Sequence, residues 1–406
     1  MSALALELLA PAQAPEQLAC ALHFRADAVY LAAPRWGMRA GARSFSRTEL
    51  ERAVGEAHEA GAAVHLTLNT VMTDDDTDDL PGFLSFIDGI GVDAAIVADL
   101  GAMALVRRHA PHVALHVSTQ ASVSSAEAAE AYARLGARRV VLARELTLGQ
   151  IRELRRRLTD EVELEVFAHG SLCMAYSGRC LLSAELMGAR RSASNGACAQ
   201  PCRWGWALVE ERSGGLPVPI EADGRGSYLL SSNDLCLIDH LGELQDAGVA
   251  SIKLEGRSKG SYYTACVTNA YRHVLDGEPA EAWRAELDAV SHRPYSTGFL
   301  FGEPTQNPDR VEYARERRMV AVVRGCEAQG ERWRAEVTCR NRADEGATLE
   351  VLSPGHPVRT MPLRGLEMAG DEGVWEPAAG LVRNGATYRL DVPFELAPWD
   401  LLCVRG

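Results

Sequence analysis

The first 275 residues repeat one pattern of apolar and polar positions. A short apolar run, often β-branched, ends on a polar residue, and an amphipathic helical repeat follows. The apolar runs predict strands at 4–10, 27–32, 63–69, 94–99, 113–120, 139–145, 163–170 and 250–256. Helical spacing predicts helices at 48–61, 125–136 and 149–158, the first ending on a glycine suited to a helix C-terminus. Strands alternating with helices imply a parallel α/β sheet. Their number favours a closed (β/α)8 TIM-like barrel over an open sheet. Asn69, Asp99, Gln120, Glu145, His169 and Glu255 sit at the C-terminal ends of predicted strands. One polar strand end is ordinary turn chemistry. Six on one rim point to the end of a barrel that carries the chemistry.

The pattern changes twice. About 80 residues, roughly 171–249, separate the seventh and eighth predicted strands and form an insertion with Gly/Ser/Asn-rich links. Within it, 227–248 predicts a strand and then a helix with Asn233 or Asp234 near its N-cap. Residues 277–310 are rich in proline and glycine and read as a linker between a catalytic domain, 1–276, and a tail, 311–406. The tail alternates in short runs at 318–325, 332–341, 347–353 and 386–393, which predict a small all-β barrel or sandwich.

Composition narrows the class. A net charge of −13 over 406 residues excludes a dedicated nucleic-acid coat but leaves room for a local basic patch. There is no run of about 18 apolar residues to span a membrane, and MSALALELLAPAQ lacks a basic n-region. A cytoplasmic protein without membrane association is expected. Nearly all basic residues are arginine; the only lysines are Lys253 and Lys259, in SIKLEGRSKG. A lysine retained in such a chain suggests a need for an ammonium group, although two surface lysines would look the same.

Ten cysteines in such a chain do not read as a disulfide framework. Four cluster with the spacing C-x6-C-x17-C-x3-C, at Cys173, Cys180, Cys198 and Cys202. His169 lies close enough in sequence to Cys173 for a nucleophile–base pair, but that leaves three thiols unexplained. Zinc sites favour CxxC knuckles, and none is present. An iron–sulfur cluster tolerates irregular spacing, and Gly178, Gly188 and Gly196 would let backbone amides approach it. Cluster, zinc and structural cysteines all remain open on spacing alone. No CxxxCxxC, P-loop, HExxH, GxSxG or GxGxxG motif occurs.

ELEVFAHGSLCMAYSGRCLLS (163–183) resembles the signature of the peptidase U32 family, with Glu165, Phe167, Gly170, Ser171, Cys173, Gly178, Cys180 and Ser183 at its positions. NGACAQPCRW, SSNDLCLIDHL, SIKLEGRSKG and ELLAPA are similar to it as well, so the resemblance covers about residues 4–275. Its name implies collagenase-like proteolysis. Its better understood members imply O2-independent hydroxylation of RNA or quinone precursors, with a 4Fe-4S cluster and prephenate as oxygen donor. SGRCLLS and CxxxCRW together with a β tail look most like the branch that forms 5-hydroxyuridine in tRNA; rRNA or a quinone precursor is the alternative acceptor. The resemblance implies Cys173, Cys180, Cys198 and Cys202 as cluster ligands, with Cys236 in reserve for the fourth. Glu165, His169, Lys253 and Glu255 are then candidates for proton transfer, and Arg144 and Arg257, with Lys253, for holding a dicarboxylate. Trp204 and Trp206 are candidates for stacking on a base and 313–325 for phosphate contacts, against the alternatives of core packing and a solvated face.

Overall fold

The computed structural model describes residues 5–38, 44–173, 180–194, 196–204, 207–208, 218–219, 233–302, 316–330, 332–370 and 374–405. Gly178 and Trp206 lie outside these, as does the start of the basic strip, 313–315. Seven parallel strands follow the predicted order: β1 (Glu7–Pro11), β2 (Ala28–Ala32), β3 (Ala63–Leu68), β4 (Ala94–Val97), β5 (Ala114–Val117), β6 (Ala137–Val141) and β7 (Glu163–Ser171). The eighth barrel strand, Ser251–Leu254, pairs with both β7 and β1 and closes the barrel. All eight start within three residues of the predicted runs. Their C-terminal ends are mostly shorter, because the polar residues there have left the ladder for the rim.

The helices pack on the outside. Arg47–Glu59 starts with a capping box, Ser46 accepting from the Glu49 amide while the Glu49 carboxylate accepts from the Ser46 amide. Such a cap satisfies two otherwise orphaned donors and contributes about 1 kcal/mol. Its buried face, Leu50, Ala53, Val54 and Ala57, follows the helical repeat onto the sheet. Asp99 N-caps the helix Leu100–His109 by accepting from the Ala102 amide. Its polarity at a strand end is turn chemistry.

Two sequence readings are corrected. Asp234 caps no helix. It lies in a short strand, Asp234–Cys236, antiparallel to the end of β7, and its carboxylate is paired with Arg293 at 2.8 Å with both side chains 3% exposed. The helix follows at Leu241–Asp246. Residues 277–302 are also not a bare connector. The helix Arg284–Ala289 buries Leu287 and Ala289, and Tyr295–Ser296 pairs with Asp234–Cys236. Prolines and glycines at the joints masked this order.

The tail is an eight-stranded antiparallel sheet centred on the long strand Arg317–Gln329. Among the described residues its two outermost strands are not paired with each other. Val320, Val337, Tyr388 and Leu402 belong to its own core, while Val322, Leu352 and Leu401 join the core of the barrel. His23–Asp400 at 2.9 Å and Arg340–Glu16 add polar contacts between the two regions.

Candidate functional site at the barrel mouth

Strand alternation decides what faces the barrel axis. On β7 the inward residues are Glu165 and Phe167, on the eighth strand Lys253, on β3 His65 and Thr67, and on β5 His116. The interior thus carries an ionic set instead of the usual aliphatic layers. Lys253 Nζ donates to Glu165 Oε1 at 3.1 Å, and Arg139 contacts Glu165 Oε2 at 3.4 Å. Arg139 also holds Glu7 and Glu163, at 2.5 and 2.7 Å. Burial pushes the Lys253 ammonium below its ordinary range, and the Glu165 carboxylate opposes that shift. Lys253 also lies over the Tyr30 ring at 4.4 Å and the Phe167 ring at 5.6 Å, so the charge is held by π-faces as well as by a carboxylate.

Above this set lies a cavity of about 400 Å³ at the C-terminal mouth. Lys253, Glu255, Arg257 and Arg144 line it together with Phe167 and Tyr30. Arg257 donates to Thr67 Oγ1 at 3.1 Å and to the Met38 carbonyl. Arg144 donates to the Ser171 carbonyl at 2.9 Å and lies 5.1 Å over Phe167. Asn69 donates to Ser118 Oγ at 3.1 Å and accepts from the Met38 amide at 3.1 Å. Cationic, aromatic and neutral polar groups therefore converge on one chamber.

Cys173, Cys180, Cys198 and Cys202 all line the same cavity. They come from two stretches stitched together by one hydroxyl. Ser183 Oγ accepts from the Ala199 amide at 2.9 Å and donates to the Arg191 carbonyl. The Val71 amide donates to the Ser194 carbonyl at 2.9 Å, tying this roof to the loop after β3. Gly188, Gly196 and Gln200 adopt positive φ and fold the roof back over the mouth. The Gln200 amide donates to Cys198 Sγ at 3.3 Å, the kind of contact that stabilises a thiolate ligand.

Cys236 is elsewhere. It lines a separate cavity with His240, Arg284 and Tyr295. Its sulfur is 3.9 Å from the Tyr271 hydroxyl, and burial pushes its thiol up to about 11.

Four thiols converging on one cavity are a donor set that would suit a metal ion or an iron–sulfur cluster. In a mononuclear tetrathiolate site, metal–sulfur bonds of about 2.3 Å set sulfurs about 3.8 Å apart. Among the described residues, the only group with three ligand atoms within 4.8 Å of one another is His65, His116 and Glu165. No three of the four cysteine sulfurs lie that close together.

His169 does not join the site. The register of β7 against the eighth strand shifts between Lys253 and Leu254. This bulge breaks the alternation and turns His169 outward among Tyr263, Tyr271 and Tyr295. Burial lowers its pKa to about 3, and its Nδ1 lies 3.4 Å from the Tyr271 hydroxyl. Glu165 lies beneath the cavity and accepts from Lys253. Trp204 is in the roof but outside the lining, 44% exposed. The basic strip is largely engaged: Arg317 pairs with Glu350, and Arg324 lies 4.5 Å over Trp399. Sequence reading missed Tyr30, Thr67, Ser118 and Phe167 as lining. Their signal was available, because Tyr30, Thr67 and Phe167 stand at inward parity on barrel strands and Ser118 one residue beyond the end of β5.

The profile of peptidase family U32 matches residues 13–310. The chain belongs to the peptidase U32 family. Its relatives include an uncharacterized protease of Methanocaldococcus jannaschii, 41% identical over 75% of each chain. The tRNA hydroxylation protein P1 of Bacillus subtilis is 36% identical, over 73% of this chain and 71% of its own. The tRNA hydroxylation protein P of Escherichia coli is 30% identical over 96% of this chain and 94% of its own, so the similarity extends through the β tail of this U32 protein.

Proposed function

We propose that this U32 chain is an O2-independent, iron–sulfur-dependent RNA hydroxylase that forms 5-hydroxyuridine in tRNA with prephenate as oxygen donor. The observation that carries the reading is the convergence of four cysteines from two stretches on a cavity whose floor is cationic and aromatic. Similarity to tRNA hydroxylation proteins over most of the chain supports the acceptor.

Cys173, Cys180, Cys198 and Cys202 would hold a 4Fe-4S cluster. When bound, that cluster supplies one-electron redox chemistry and an iron that can bind an oxygen-bearing group. The chain's own residues do the rest. Lys253, Arg257 and Arg144 present an ammonium and two guanidinium forks to a dicarboxylate. Phe167 and Tyr30 offer faces for a ring, and Asn69, Ser118 and Thr67 offer hydrogen bonds to an extruded base. Glu255, at the edge of the cavity, is placed to accept or return a proton. Glu165 fixes the Lys253 ammonium without touching the substrate. Arg190 and Arg191 are exposed on the turn Ala189–Arg191 within the roof, where phosphates of an RNA strand would pass.

A peptidase at this site would need a nucleophile beside a base. Among the described residues lining the cavity there is no histidine to form a Cys–His or Ser–His pair. The test is mass spectrometry of tRNA nucleosides from a strain lacking the chain. Loss of 5-hydroxyuridine derivatives, restored by the wild-type gene and not by Cys173→Ala, is expected. Unchanged tRNA nucleosides would contradict the reading.

A further inference from the structure

Below the cavity floor the barrel interior holds two histidines that the proposed reaction does not use. His65 on β3 and His116 on β5 both face the axis and are 3% and 5% exposed. Their rings meet edge to face with centroids 4.8 Å apart. Each has an Nδ1 that is buried and has no hydrogen-bond partner. A buried ring nitrogen left unpaired costs about 1–3 kcal/mol. Two side by side call for a guest, either water or an ion. A neutral imidazole presents one nitrogen lone pair to such a guest. One ligand atom from each ring and a carboxylate oxygen of Glu165 lie within 4.8 Å of one another.

We propose that His65, His116 and Glu165 form a buried binding site for a divalent first-row transition ion, distinct from the cysteines at the mouth. Two imidazoles and one carboxylate are the donor set of many zinc and non-haem iron(II) sites. They are not the all-oxygen set that calcium or magnesium requires. The charges around the site come from four strands: Glu7 on β1, Arg139 on β6, Glu163 and Glu165 on β7, and Lys253 on the eighth strand. Arg138, also on β6, acts on His116 as well, so three carboxylates face three cations. Glu165 already accepts from Lys253 and Arg139. A carboxylate has about four acceptor positions, so these two bonds leave lone pairs for an ion. An ion there would share the carboxylate that holds Lys253 and would thereby couple the deep interior to the ammonium on the cavity floor.

The test uses the full-length chain, stripped of metal under anaerobic conditions and titrated with Co2+. In a variant with Cys173, Cys180, Cys198 and Cys202 all changed to Ser, one equivalent should bind. It should give weak visible ligand-field bands and no sulfur-to-cobalt charge transfer in the near ultraviolet. His65→Gln and His116→Asn, made in that background and matched by circular dichroism, should each weaken binding by more than about 100-fold. Loss of even an outer-shell partner costs about 10–100-fold. If the four-serine variant fails to fold, the wild-type chain serves: it should take up a second equivalent with the same bands, removed by His65→Gln. Absence of those bands in a folded chain, or bands indifferent to both histidine substitutions, would mean that the nitrogens hold only water and would overturn the proposal.

Discussion

Lys253 and Cys173 line one cavity and are held in opposite ways. Lys253 stands on a barrel strand, 3% exposed, against a carboxylate at 3.1 Å and between two aromatic faces. Cys173 is exposed, in a roof secured by a few backbone bonds and the Ser183 hydroxyl. The floor is preorganised by the same strand pairing that makes the fold, so its geometry precedes any ligand. The roof has little apolar burial of its own, and a ligand bridging its two cysteine stretches would supply what the chain does not. In this U32 protein, the preorganised ionic and aromatic groups are therefore concentrated in the floor and the cysteines in the roof.

That contrast can be broken in four places. The largest effect is expected at the floor. Lys253→Met leaves the buried Glu165 with only the longer contact to Arg139, and removal of one partner of a buried pair costs about 3–5 kcal/mol. The urea midpoint of the iron-free chain measures it. A Lys253→Met/Glu165→Leu double variant should regain part of the stability and none of the tRNA modification. Next is the joint between floor and roof. Gly170 has φ +103°, and a Cβ there would lie 2.5 Å from the Glu255 carbonyl oxygen. Gly170→Ala should cost about 2–4 kcal/mol by thermal or urea unfolding, through left-handed strain and overpacking. Cys236→Ala removes a buried sulfur from the separate cavity and should cost about 1 kcal/mol in the same assay. The smallest effect is expected in the roof, where Cys173→Ala should shift the stability of the iron-free chain by less than about 0.5 kcal/mol while abolishing activity. A loss of several kcal/mol there would mean that the cysteines serve the fold rather than a ligand.

Much of the barrel was legible because its signals are local. Apolar runs, helical repeats and polar strand ends are each written within a few residues. The polar strand ends pointed to the rim, where Asn69, Gln120 and Glu255 line the cavity. What escaped depends on a single displaced residue or on distant partners. The bulge near the end of β7 turns His169 out of the mouth, and nothing in ELEVFAHG announces it. Asp234 looks like a helix cap until Arg293, far along the chain, claims its carboxylate. Arg317 reads as an exposed cation until Glu350 is brought against it. The four cysteines were visible as a group, but spacing alone could not separate Cys202 from Cys236. Only the fold places one in the mouth and the other behind β7.

Iron and acid-labile sulfide per chain, after anaerobic reconstitution of the wild-type, Cys202→Ala and Cys236→Ala proteins, test the central claim most directly. About four irons and four sulfides are predicted for wild type and for Cys236→Ala, as a four-iron cluster on the mouth cysteines requires. Most of both should be lost in Cys202→Ala. Full iron in Cys202→Ala with loss in Cys236→Ala would contradict the assignment of the fourth ligand, and absence of iron from the wild-type chain would contradict the cluster itself.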